Sequence, residues 1–349
     1  MLRLIRFILA EAFLIMLFLL LCFSNQLVLY GLAQGKGQLN IVMNVRPVSE
    51  VMKDPAFPDS LKQKLLLIQE IKKFAYDSLG LKPSDNYSTI YEQHNKPALW
   101  TITASEPFRL KAREWWFPFL GSVSYKGFFD YAKGKKEALE LASEGYDVDY
   151  GPVSGWSTLG WFKDPILSGM LRRDAGHLAD LIIHELTHGT IYLKNKVDFN
   201  ENLANFIGDK GAERFLICKY GLASAQYQEY IQSKSDRKIY NAYILLASLK
   251  LDSLYRSFRD HQPVMEKERK KMAIIYETIA GLEALPLYHK KGYKHYTEDA
   301  LVIKNAFFMS FRRYDSQYDV FEKEFREQSH SNIRLYIQML VRRMEGRGQ

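Results

Sequence analysis

Cysteine is nearly absent from this sequence: Cys22 and Cys218 are the only two in 349 residues. That excludes a disulfide-stapled scaffold and a cysteine-rich zinc module. No Lys/Arg tract is long enough to argue for nucleic acid. The basic excess is mild, 48 Lys and Arg against 40 Asp and Glu, a net charge of +8. Internal repeats and low-complexity segments are missing too. With 47% apolar and 25% charged residues, the chain is neither fibrous nor collagen-like nor disordered, and it is long enough to bury a sizeable core.

One long apolar run is present, at the start. Arg3 and Arg6 precede a stretch from Phe7 to Phe23 broken only by Glu11. It sits at the lower limit for spanning a bilayer, where about 20 residues are usual. A signal peptide and an uncleaved anchor both fit, and the anchor is the better expectation. The small-residue site Gly31-Leu32-Ala33 lies far behind the apolar core, and Leu21 before Cys22 makes a poor lipidation site. The two arginines would keep the N-terminus in the cytoplasm. Residues 1–30 are thus expected to anchor the chain in the inner membrane, with the remainder on the periplasmic side. Cys218 is expected to be a free, buried thiol.

The pattern beyond the anchor predicts an α+β fold, mostly helical. It comprises a small antiparallel sheet packed on a two-helix core, followed by a helical C-terminal region. Residues 35–220 would form the catalytic region and residues 221–349 the helical remainder. Residues 36–95 read as helical, with Pro47 opening one run and Gly80 ending another over 60–80. Short aromatic and β-branched runs at 98–103, 108–112, 115–119 and 123–129 read as strands. A helix is expected over 130–146 and a strand over 147–153. The Gly- and Trp-rich run 155–165 is a loop or edge strand, and an extended peptide could pair with an edge strand over 154–162. Further helices are expected at 165–193, with room for one break, and at 200–220, and nearly everywhere after Ser224.

The segment from Leu178 to Leu193 carries His184-Glu185-Leu186-Thr187-His188, an H-E-x-x-H pattern. On a helix the two histidines share a face and can ligate one Zn2+, with Glu185 placed as general base toward water. The pattern arises by chance in roughly 1% of chains of this composition, so it is informative. The flanking Leu181, Ile182, Ile183 and Leu186 are apolar, and buried histidines there need partners. Thirteen residues past His188, Glu201 stands in an N-E-x-x-A pattern at the expected start of the next helix. Ala204 and Gly208 on about the same face would let the two helices approach. His184, His188 and Glu201 are therefore the expected metal ligands, with one position left open as a catalytic site requires. Asn205 and Asp180 are candidates to hydrogen-bond a ligand imidazole. His177 shares the face of His184 and reads as a structural or cleft residue.

These segments together resemble the bacterial putative aminopeptidase family, which is related to gluzincin metallopeptidases. The resemblance rests on residues 184–188, the run Asp198 to Ala204, and the run Ser157 to Pro165. Phe117-Pro118 with Gly121, Tyr125 to Asp130, Lys304-Asn305-Ala306 and Tyr314 add to it. It spans about Gly35 to the C-terminus. Family members often begin with a lipoprotein signal, from which Leu21-Cys22 departs. The resemblance implies a zinc-dependent peptidase acting on peptide substrates. Tyr314, in the C-terminal region that could close over the cleft, is the expected oxyanion donor. A catalytically inactive peptide-binding scaffold and a zinc amidohydrolase acting on another amide are the competing readings.

Overall fold

The computed structural model describes residues 26–117, 121–153, 163–194, 196–290, 304–313 and 318–345. The chain divides into two compact units, Met1–Val45 and Arg46–Gln349. In the first, α1 (Gln26–Met43) is an 18-residue helix interrupted by Gly31, Gly35 and Gly37. Spanning a bilayer with it would put Gln26, Gln34, Lys36, Gln38 and Asn40 into hydrocarbon. Among the described residues no helix is long and apolar enough to cross a membrane. This overturns the expected membrane anchor and the inner-membrane, periplasmic placement built on it; residues 1–25 of that expectation lie outside the described residues.

The second unit is mostly helical with small sheets. After β1 (Val45–Pro47) and the one-turn α2 (Val48–Val51), α3 (Asp59–Phe74) carries Leu65, Ile68 and Ile71 on one buried face. It continues as a π turn, Ala75–Leu79, and stops at Gly80, whose φ of +80° favours glycine. The remainder of 36–95 is less helical than its composition predicts, because β2 (Thr89–Tyr91) pairs with a strand some 75 residues later. That partner, β8 (Ile166–Leu167), runs parallel to it with Ile90 opposite Ile166. The order in this sheet is β1-β2-β8.

The second sheet is antiparallel, with β3 (Trp100–Ser105) at its centre. Strands β4 (Trp115–Phe117) and β5 (Gly121–Val123) form a separate two-stranded pair, and β6 (Lys126–Phe128) returns to β3. Helix α4 (Tyr131–Ser143), capped by the Asp130 side chain, leads to β7 (Asp147–Pro152) on the other side of β3. The expected strand at 108–112 reduces to one bridge, Ala112 to Ser105.

The helices that carry the H-E-x-x-H pattern and Glu201 follow. A 3-10 turn, Ser168–Arg172, precedes α5 (Ala175–His188), so the helix starts ten residues later than the apolar pattern suggests. Asp174 fixes that start by accepting the His177 amide at 2.9 Å. Helix α6 (Val197–Tyr220) lies against α5. Next come α7 (Ala225–Arg256), capped by Ser224, α8 (Val264–Gly281), α9 (Asn305–Arg313), α10 (Tyr318–Ser329) and α11 (Ile333–Glu345). Phe206 of α6 packs among the rings of Phe321, Phe325 and Tyr336. A buried ion pair ties sheet to helices: Lys271 of α8, fully buried, lies 2.6 Å from Asp147 of β7. Cys218 is free as expected but exposed rather than buried, since it falls on the solvent side of α6.

Candidate metal centre

Two close approaches set the spacing of α5 and α6. A Cβ on Gly208 would meet Asp180 Oδ1 at 2.7 Å, the Asp180 carbonyl at 2.8 Å and His184 Cβ at 3.1 Å. One on Gly211 would meet Ile183 at 2.9 Å. Only glycine allows backbone and side chain to pass this closely. Leu178, Ala179, Ile182, Ile183 and Leu186 fill the core side of α5, which turns His184 and His188 the other way. The connection between the helices is pinned as well. The Asn200 side chain accepts the Leu193 amide at 2.9 Å and donates to its carbonyl at 2.8 Å. Helix α6 begins at Val197, three residues before the expected start, so Glu201 lies just past the first turn.

The result is a convergence of three donors. His184 Nε2 and His188 Nε2 are 3.2 Å apart. Glu201 reaches both, Oε2 at 3.5 Å from His184 and Oε1 at 3.4 Å from His188. All three offer a ligand atom within 4.8 Å of one another and could hold a metal ion. The imidazoles are largely buried, at 15% side-chain exposure each, while Glu201 at 41% opens to solvent.

The charges of the three donors pull against one another. Burial alone would lower His184, but the hydrogen bond to Glu201, with the charges of Glu185 and Asp180, outweighs it and raises the imidazole. Burial and the neighbouring His184 hold His188 down at about 4. Its Nδ1 is buried with no partner, so neither Asn205 nor another described residue serves it. Burial would lift Glu201, yet His184 and His188 bring it below the usual carboxylate range.

Glu185 is not one of the three donors. Burial pushes it up to about 7, opposed by His184 and reinforced by the carboxylates of Glu201 and Asp164. Asp164 belongs to the segment just before β8, and its amide is held by Asn86 Oδ1 at 3.1 Å. Tyr87 donates its amide to the Asp164 carbonyl at 2.7 Å, accepts Gln69 Nε2 at 3.0 Å, and takes a φ of +63°. A buried tyrosine in that left-handed conformation is uncommon and is held by these contacts. Burial, with the charges of Glu185 and Asp164, raises its phenol well above the ordinary value, so it stays neutral. Sequence reasoning gave Tyr87 no role and named Asp164 only within the run Ser157 to Pro165, because the parallel β2–β8 register is what brings their segments together.

Behind His184, Asp180 is raised by burial and opposed by Arg237, whose guanidinium lies 3.8 Å away and also 3.6 Å from Asp209. Asp209 accepts the hydroxyls of Tyr230 and Tyr318 at 3.1 and 2.8 Å. Asp180 thus acts on His184 through its charge. His177 bonds Asp174 and Ser233 instead of joining the donors. Tyr314 and the run 154–162 lie outside the described residues. A groove of about 610 Å³ between α6, α10 and α11 is lined by Phe199, Leu203 and Phe321 and contains none of the three donors.

A family model described as Putative aminopeptidase matches residues 29–345, and the chain belongs to that family. No curated protein and no solved structure matches the chain.

Proposed function

From that membership and the donor geometry, we propose that the protein is a zinc-dependent metallopeptidase of the H-E-x-x-H, gluzincin kind. Its two-helix core would be of the zincin type. The observation that carries the reading is the approach of His184 Nε2, His188 Nε2 and the Glu201 carboxylate. Two nitrogens 3.2 Å apart, each at a Zn–N length of about 2.05 Å from one point, subtend about 103° there, near the tetrahedral value. The oxygen distances of 3.4 and 3.5 Å fit equally well. Two imidazoles and a carboxylate are a donor set that suits zinc, with the fourth position left for substrate chemistry. A divalent cation there would also replace the proton that Glu201 now favours on His184, leaving both imidazoles neutral and the carboxylate ionised.

Zinc, when bound, supplies Lewis acidity that polarises a carbonyl and acidifies water. Glu185 would take the proton from the attacking water and return it to the leaving amine. Its near-neutral proton affinity suits both transfers. Tyr87 and Asp164 would hold Glu185 in a dry environment that keeps that affinity high. His184 would be held in register by Gly208 and by the charge of Asp180. Glu201, the most exposed donor, faces the side from which a peptide would arrive.

Elemental analysis of the purified protein should find one zinc per chain. Replacing Glu185 with Gln should keep the zinc and abolish peptide turnover. Full turnover in Glu185→Gln would sink the mechanism. An Ala at Glu201 that binds zinc unchanged would sink the ligand assignment.

A further inference from the structure

Two turns before His184, α5 carries a second constellation that the metal reading does not use. Asp174 Oδ2 lies 2.5 Å from His177 Nδ1, and His177 Nε2 lies 3.2 Å from Ser233 Oγ on α7. The order of atoms is nucleophilic hydroxyl, imidazole Nε2, imidazole Nδ1, carboxylate. That is the arrangement in which a base is oriented by a third group and faces a hydroxyl.

The imidazole is fixed from three sides. Asp174 also caps α5 through the His177 amide, so its carboxylate cannot swing away without loss of the cap. The Tyr230 ring stands edge-on against the imidazole, at 5.6 Å and 78°. A carboxylate at Nδ1 places the ring proton on that nitrogen and leaves the Nε2 lone pair for Ser233. The Ser233 hydroxyl also reaches the Tyr230 carbonyl at 2.8 Å, and rotation about its C–O bond transfers the proton between these two acceptors. Arg237 follows Ser233 by four residues on α7 and therefore shares its face; its side chain is 50% exposed. His177 and Asp174 are 35% and 39% exposed, so small reagents can reach them.

We propose that Ser233, His177 and Asp174 form a second, metal-independent nucleophilic centre that accepts acyl groups from activated esters. Ser233 Oγ bonds to the carbonyl carbon as its proton passes to His177 Nε2. The ester C–O bond breaks, and the leaving alkoxide takes that proton. Water then attacks the acyl-serine and gives a proton to Nε2. The acyl–Oγ bond breaks, the carboxylic acid leaves, and the proton returns to Oγ.

The test uses the full chain with an alkyl fluorophosphonate, the adduct being mapped by peptide mass spectrometry, and with p-nitrophenyl acetate as substrate. One adduct per chain on Ser233 is expected. It should vanish in Ser233→Ala, a mild change within a helix, and form at least about 100-fold more slowly in His177→Gln, the usual loss with a general base. Asp174→Asn keeps a competent helix cap while removing the charge, so slower labelling measured well below the melting temperature of the variant separates catalysis from folding. Chelated protein and Glu185→Gln should label at the wild-type rate, which keeps this centre distinct from the zinc site. No Ser233 adduct on folded protein, or an unchanged rate in His177→Gln, would overturn the proposal. Ester turnover lost on chelation would trace it to the metal donors and overturn it as well.

Discussion

Replacing Gly208 with Ala probes the link between helix packing and metal binding. The new methyl would sit 2.8 Å from the Asp180 carbonyl and 3.1 Å from His184 Cβ, where ordinary contact begins near 3.4 Å. Neither neighbour is the far end of a flexible chain, so α5 and α6 must part locally by roughly half an ångström. Such overpacking costs about 1–3 kcal/mol, partly offset by the better helix propensity of Ala, worth about 1 kcal/mol. The net loss of up to about 2 kcal/mol corresponds to about 3 °C in melting temperature for a unit of this size. The larger effect falls on zinc, because His184 and His188 ride on one helix and Glu201 on the other. Displacing that spacing should weaken zinc binding about 10–100-fold, the range found when groups that hold ligands in place are altered. Competition with a chromophoric chelator measures the affinity, and circular dichroism the melting. Gly151→Ala is the control, since nothing lies within 4 Å of a Cβ there. If Gly208→Ala binds zinc as tightly as wild type and melts with it, glycine spacing does not set the site.

Three further outcomes follow from the same contacts. Asp174 is lifted by burial, but its bonds to His177 prevail and it falls to about 2 when folded; its unfolded value is near 3.9. Its ionised form therefore stabilises fully above about pH 4, and that stabilisation fades as the pH drops toward 2. Urea titrations should show Asp174→Ala about 1 kcal/mol less stable at pH 6, with the gap closing below pH 3. Saturating zinc at 100 times its dissociation constant should stabilise the native state by about 2.7 kcal/mol, read as a rise in melting temperature that His184→Ala removes. Lys271→Ala leaves Asp147, only 7% exposed, without its cation and should cost about 3–5 kcal/mol; the double change Lys271→Met, Asp147→Asn should cost less than Lys271→Ala by the same denaturation assay.

The sequence displays the parts of the site that depend on local period. His184 and His188 share a face because a helix repeats every 3.6 residues, and Gly80, Asp130 and Ser224 mark helix ends through their own chemistry. Glu201 is legible because one short connection separates it from His188. Tyr87 and Asp164 are not, since their nearness to Glu185 follows from a two-residue parallel pairing that leaves no periodic trace. The α5 start was hidden for a related reason: Ile166, Leu167, Met170 and Leu171 are all buried, so the apolar pattern runs unbroken through a strand and a 3-10 turn. Neither Ser233 nor Arg237 carries any signal, because each is one polar residue in a 32-residue helix.

The three donors lie within eighteen consecutive residues, on two helices joined by a brief connection. A hairpin of that sort closes its contacts at small sequence separation and so belongs to the fast-forming, low-contact-order part of a chain. The surroundings of Glu185 come from Tyr87, nearly a hundred residues upstream, and must wait for the slower parallel pairing. Under the proposed function, metal capture and catalytic competence are therefore separable in time. On refolding, zinc should enter a local hairpin first, and the dry pocket that tunes the base should close over it later, making the bound ion a nucleus around which the remaining structure condenses.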